Sequence, residues 1–266
     1  MIKNFTLQEH YQMEDLLRIM QILRGKDGCP WDREQDHHTI RNNFIEETYE
    51  VIEAIDNDDC VLLQEELGDV LLQVVFHSQM EQEKGVFDFD DVCDGICHKL
   101  IHRHPHIFGD VTADSAEEVL RNWDAIKQVE KQQETAASTL EAVSRALPAL
   151  VRSFKVQKRA VKSGFCCGDV GKALEDLKRE ITELEEAIAS NSADDISEGL
   201  GDVLFSAVNV SRILKKDPEE ALYHSTDRFI DRFSTVEEMA QARGDRLDVY
   251  SDEERGVLWE IAKKKE

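Results

Sequence analysis

The chain has 266 residues, with 56 Asp and Glu against 32 Lys and Arg, which gives a formal net charge of −24. That balance excludes a protein that grips nucleic acid through a basic face, so a phosphate-bearing partner has to be met by a local cluster of cations or through a metal. With 41% hydrophobic residues but only 13 Gly and 4 Pro, the chain has enough apolar surface for a sizeable core and too few breakers for a turn-rich β fold. The N-terminus, Met1 to Phe5, carries no apolar segment followed by a small-residue cleavage site, which predicts a cytoplasmic protein with its six Cys reduced. The longest nearly unbroken apolar run, Val70 to Phe76, falls far short of the roughly 20 residues that span a bilayer.

In chain order, helical periodicity appears first in Leu16, Leu17, Ile19, Met20 and Leu23. It continues in Phe44, Ile45, Val51, Ile52 and Ile55, and again in Leu62, Leu63, Leu67, Val70, Leu71, Val74 and Val75. Asp88 caps a fourth predicted helix through Phe89, Val92, Ile96 and Leu100, and Val119, Trp123 and Ile126 mark a fifth. No strand alternation competes, so the fold class is all-α.

The second half then repeats the first. Glu47 in Ile45-Glu46-Glu47-Thr48-Tyr49-Glu50 pairs with Glu180 in Lys178-Arg179-Glu180-Ile181-Thr182-Glu183. Asp69 in Leu67-Gly68-Asp69-Val70-Leu71 pairs with Asp202 in Leu200-Gly201-Asp202-Val203-Leu204 at the same offset. Trp123 and Lys127 return as Trp259 and Lys263. The polar stretch Lys131 to Ser138 separates the copies, and two tandem helical domains are expected at 1–135 and 136–266.

Glu46, Glu47 and Glu50 share one helical arc of about 100°, away from Ile45, Ile52 and Ile55. Taken alone they are equally a solvated acidic face. Glu66 is different, because its i−4 and i+4 neighbours are Leu62 and Val70, and an unpaired carboxylate inside an apolar stripe is costly. Asp69 follows one turn later. Two antiparallel helices therefore bring five carboxylates together, and like charges at that density call for a cation. Oxygen ligands without Cys or His suit Mg²⁺, with Mn²⁺ as the alternative.

These residues resemble the MazG-type all-α nucleoside triphosphate pyrophosphohydrolases. The motif Glu46-Glu47-x-x-Glu50 followed by Glu66-x-x-Asp69 carries the resemblance, together with Gly28-Cys29-Pro30-Trp31-Asp32, Arg103-His104-Pro105-His106 and the duplication. The resemblance implies helical-bundle domains that pair into a homodimer, and Mg²⁺-dependent hydrolysis of nucleoside triphosphates to monophosphate and pyrophosphate. It makes Glu47, Glu50, Glu66 and Asp69 the metal ligands, with Glu46 a further ligand or the group that orients the attacking water. It assigns Asn43, Lys99 and Arg103 to the phosphates and Trp123 to a position near the base, with Lys127 on the same face. Without the resemblance, Lys99 and Arg103 fit a solvated face and Trp123 fits core packing equally well.

The second copy departs from the pattern. Arg179 stands at the position of Glu46 and Gly199 at that of Glu66, while Glu180, Glu183 and Asp202 remain, as do Arg228, Arg232, Trp259 and Lys263 on the substrate side. The first copy is therefore expected to carry catalysis. Cys93, Cys97 and His98 lack zinc-site spacing, and no Walker-type phosphate loop is present. Two other readings stay open at this stage: a non-catalytic helical scaffold that binds metal structurally, and a pyrophosphatase specialised for dUTP, dCTP or phosphoribosyl-ATP.

Overall fold

The computed structural model describes residues 5–130, 135–165 and 168–264, and among them every regular element is helical. The chain folds as two compact units, 1–126 and 127–266. The sequence places the join nine residues later, in a polar stretch whose residues 131–134 lie outside the described residues, as do Met1 to Asn4, Cys166, Cys167, Lys265 and Glu266.

In the first unit, α1 (Met13–Arg24) and a short α2 (Pro30–Glu34) precede a hairpin of two long helices, α3 (Arg41–Asp56) and α4 (Cys60–Lys84). Only Asn57 to Asp59 connect them, a loop too short for anything but antiparallel neighbours. Asp59 starts α4 by accepting hydrogen bonds from the Val61 and Leu62 amides. The expected fourth helix is α5 (Phe89–Arg103), opened by a reciprocal Asp88–Asp91 capping box. Pro105 cannot continue that helix and instead begins the short α6 (Pro105–Phe108). The last helix is α7 (Ala116–Glu130), and the division between the units falls inside it.

Met20 of α1, Ile40, and Val75, Phe76 and Met80 of α4 form the buried core of this unit. Arg24, its side chain only 7% exposed, fastens the end of α1 to both neighbours. It pairs with Glu83 of α4 at 2.8 Å and donates to the Asp32 carbonyl of α2 and the Gln35 carbonyl that follows it. Gly28 sits where no side chain fits: a Cβ there would lie 2.2 Å from the carbonyl oxygens of Ile22 and Leu23.

The second unit holds α8 (Ala136–Glu141), α9 (Ala149–Lys162), the hairpin α10 (Val170–Ser190) with α11 (Ala193–Ile213), α12 (Pro218–Gln241), a 3-10 turn at Leu247–Val249 and α13 (Asp252–Lys263). Without a counterpart to Pro105, α12 runs unbroken across the region that α5 and α6 share in the first unit. Val236, Leu258 and Ala262 form its buried cluster, with Trp259 packed against them.

Candidate active site

Glu47 on α3 and Glu66 and Asp69 on α4 each offer a carboxylate oxygen within 4.8 Å of the others. The hairpin makes this possible, since residues 19 and 22 positions apart in sequence meet only when the two helices run antiparallel. Glu66 is 9% exposed, as its place in the apolar stripe implies, and Glu47 and Asp69 are half-buried. The Glu50 carboxyl lies within hydrogen-bonding reach of both Glu47 and Glu66.

Burial pushes the Glu47 carboxyl above its ordinary range, with further upward pressure from the hydrogen bond with Glu50 and the charges of Asp69, Glu50 and Glu66. Burial likewise raises Glu66, followed by the charges of Glu50, Asp69 and Glu65. Both shifts have the sign expected of acids crowded out of water without a counter-charge. The donor set is all oxygen, negatively charged and converging, which fits a hard divalent cation.

The remaining predicted residues surround this trio unevenly. Glu46 is exposed and lies outside the trio, on the acidic arc of α3. Asn43, one turn before Glu47, is half-buried. Lys99 and Arg103 share one face of α5, the first exposed and the second half-buried; Lys99 makes no ion pair among the described residues. Trp123 and Lys127 follow each other on α7, both half-buried.

The Trp123 ring stands 6.2 Å from His104, which stands 5.6 Å from His106, so the Arg103-His104-Pro105-His106 stretch and Trp123 form one aromatic cluster. Sequence reasoning also passed over a pair of imidazoles. His37 and His77 stack at 5.0 Å between centroids, beside Glu81. The available signal was His77 itself, a polar residue directly after the apolar run Val74-Val75-Phe76.

The second hairpin is built otherwise. Arg179 reaches Asp176 and Glu180 at 2.9 Å each and Glu183 at 3.6 Å. Hydrogen bonds to Glu180 and Asp176 raise its pKa further, so its charge is permanent. Two of the three acids retained in this copy are thus neutralised by a side chain. At the other altered position, a Cβ on Gly199 would stand 3.4 Å from Leu184 Cα, so α10 and α11 approach closely where the first hairpin holds Glu66. Asp202 is exposed, and among the described residues no second acidic trio forms. Beside these helices, Trp259 packs against Phe229 at 5.0 Å and lines an apolar cleft of about 840 Å³ with Phe233, Val236 and Leu247.

Comparison with known proteins adds a second line of argument. The MazG nucleotide pyrophosphohydrolase domain matches residues 35–108 and 171–237. The first match contains the acidic trio, Asn43, Lys99 and Arg103, and stops short of Trp123. A protein named nucleoside triphosphate pyrophosphohydrolase from Escherichia coli strain K12 is 42% identical over 260 residues, covering 96% of this chain and 98% of its own. A Thermotoga maritima protein named nucleoside triphosphate pyrophosphohydrolase/pyrophosphatase MazG is 41% identical over 250 residues, covering 94% and 95%. One from Mycolicibacterium smegmatis, also named nucleoside triphosphate pyrophosphohydrolase, is 36% identical over 156 residues, which is 58% of this chain and 47% of its own.

Proposed function

The chain belongs to the MazG nucleotide pyrophosphohydrolase family and is a nucleoside triphosphate pyrophosphohydrolase, and from that premise we propose that the acidic trio of the first hairpin carries the reaction with Mg²⁺. Family membership sets aside the non-catalytic scaffold. The observation that carries the site assignment is the convergence of Glu47, Glu66 and Asp69, one of them buried, with the Glu47 and Glu66 carboxyls raised and no ion pair to any of the three among the described residues.

Glu47, Glu66 and Asp69 hold the metal in this reading, with Glu50 completing the set from the next turn of α3. When bound, the cation neutralises phosphate charge and lowers the pKa of a water in its coordination sphere. Glu46, exposed on the same arc, accepts the proton of the attacking water. Asn43, Lys99 and Arg103 bind the triphosphate chain, because ammonium and guanidinium groups make charge-assisted hydrogen bonds to phosphate oxygens. Trp123 offers a ring face to the base, which any base can stack upon, and Lys127 adds a charge one turn later. Products are the monophosphate and pyrophosphate.

The two functional repeats are taken as 1–135 and 136–266, with the second weakened in catalysis. The homodimer belongs to the same proposal: Ile45, Tyr49, Ile52, Ile55, Leu67 and Leu71 stand exposed on α3 and α4, more apolar surface than a solitary unit keeps in water. Pairing of two copies covers such faces. No helix among the described residues is long and apolar enough to cross a membrane. A cytoplasmic setting, where nucleoside triphosphates are abundant, is part of this reading.

The decisive experiment incubates the full chain with a panel of ribo- and deoxyribonucleoside triphosphates and Mg²⁺ and separates the products. Monophosphate with pyrophosphate is expected, and hydrolysis that persists undiminished after exhaustive EDTA treatment overturns the metal assignment. A solution mass that stays at 30.5 kDa across micromolar concentrations overturns the dimer.

A further inference from the structure

The helix that brings Asn43, Glu46, Glu47 and Glu50 to the site begins without a side-chain cap: Ile40, its N-cap residue, supplies no side-chain hydrogen bond. Its position therefore depends on tertiary contacts, and three of them meet at α4. Ile40 is 2% exposed in the core beside Val75 and Phe76. The Phe44 ring lies 5.9 Å from the His77 ring. In the loop before α3, His37 Nδ1 lies 2.7 Å from His77 Nδ1, the two rings within 5° of parallel. His37 Nε2 then lies 2.5 Å from Glu81 Oε1, which also accepts from Lys84 at 2.6 Å. An Asx turn sets the loop, with Asp36 Oδ1 accepting from the His38 and Thr39 amides.

The facing nitrogens dictate the proton count. Two Nδ1 atoms at this distance hold one proton between them; with none, two lone pairs oppose each other, and with two, both rings donate into each other. The surrounding groups favour the single-proton state. From α4, Glu81 engages His37 and Lys84 neutralises Glu81; the loop adds Asp36 and His38; α3 contributes the Phe44 ring. On α1, which also packs on α4, Arg24 is already taken by Glu83, and α5 opens with Asp90 and Asp91, both exposed. Burial first, and His37 second, hold His77 below the ordinary imidazole pKa, so a second proton arrives only in acid.

We propose that His37 and His77 are positioning residues whose shared proton fastens the 36–40 loop to α4 and thereby sets the start of α3, from which Asn43 and Glu47 reach the substrate and metal. The proposal rests on the α3–α4 face being the catalytic site. It locates part of the enzyme's acid sensitivity outside the carboxylates, in a latch roughly two helical turns along α4 from Asp69.

The test compares kcat and KM, from about pH 5 to 9, for the wild type, His77→Phe and His77→Asn, using the fastest-cleaved triphosphate of the panel with Mg²⁺. His77→Phe keeps a ring against Phe44 but removes the nitrogen, so KM is expected to rise about tenfold at every pH while kcat stays within about threefold. His77→Asn offers an amide near the place of Nδ1 and does not titrate. It is expected to keep KM within about twofold at pH 8 and to lose most of the wild-type rise in KM below about pH 6. Wild-type KM in His77→Phe, or an unchanged acid rise in His77→Asn, overturns the proposal. If circular dichroism shows His77→Phe unfolded, His37→Ala takes its place with the same expected KM rise. Glu66→Ala separates the two levels: if it stays active, the site assignment fails, whereas if it is dead while both His77 variants match wild type, only the latch fails.

Discussion

The two hairpins of this chain, α3–α4 and α10–α11, share a fold and a sequence offset but solve opposite electrostatic problems. In the first, Glu47, Glu66 and Asp69 converge with no ion pair among the described residues, and burial first, then the neighbouring carboxylates, raise the proton affinities of both glutamates. In the second, Arg179 ties down Asp176, Glu180 and Glu183, and the position of Glu66 is a glycine against which Leu184 closes. One hairpin is left needing a counter-charge from outside, and the other carries its own. The contrast teaches that retained acids are a poor index of a retained metal site. What matters is whether anything in the protein already satisfies them.

The sharpest way to break the comparison is to delete one acid from each copy. Glu66→Ala is expected to lower kcat by about a thousandfold or more, since it removes charge stabilisation at the reacting phosphate, while Asp202→Ala stays within about twofold. The reverse result, measured on variants shown by circular dichroism to be folded, would move the working site to the second unit. A smaller asymmetry is expected on the substrate side. Lys99→Ala should raise KM about tenfold, the worth of one charge-assisted phosphate contact, and Arg228→Ala should change it little.

The comparison can also be sharpened by rebuilding. Arg179→Glu combined with Gly199→Glu removes the internal cation and restores both missing acids. The first atom of the new side chain at 199 meets Leu184 at 3.4 Å, ordinary contact distance, so the Cβ itself forces no clash. Calorimetric titration with Mn²⁺ should then show roughly twice as many sites per chain as the wild type. Unchanged stoichiometry would mean that the missing acids were not what disabled the second copy.

The smallest effect is on stability. In the metal-free protein the raised Glu47 and Glu66 carboxyls bind protons that the unfolded chain has released, so the folded state holds more protons just above the ordinary glutamate value of 4.5. Stability therefore falls as pH rises through that window, the opposite of a salt-bridged acid. The cluster's contribution is a melting temperature a few degrees lower at pH 7 than near pH 5 without metal, and Mg²⁺ should recover it at pH 7. Glu81 and Glu83, lowered by hydrogen bonds to Lys84 and Arg24 respectively, work in the other direction, their stabilisation being lost as pH falls through 4.5 and below. Glu66→Gln supplies the control that isolates the cluster.

Much of this was legible in the sequence because it depends on local spacing. The long helices of the first unit announce themselves through periodicity and caps, and Glu66 stands out because its neighbours one turn away are apolar. The loss of Glu66's counterpart at Gly199 needs only the repeat offset. The His37–His77 contact was not legible: it joins residues 40 positions apart, and no local pattern tells a histidine that a second will stack on it. Glu46 was legible only in part, since helical geometry puts it on the acidic arc but not how far round, and it stands exposed.

Gly28 has a consequence for anyone who reads function from mutational tolerance. Its backbone lies against the carbonyls that end α1, where a side-chain carbon would collide at 2.2 Å. In a random library selected for activity, position 28 should therefore behave as immutably as Glu66, although it contributes no atom to the chemistry. The two kinds of intolerance separate only when the selection is changed. Under selection for soluble, folded protein alone, position 66 becomes permissive to small and apolar residues, while position 28 still admits nothing but glycine.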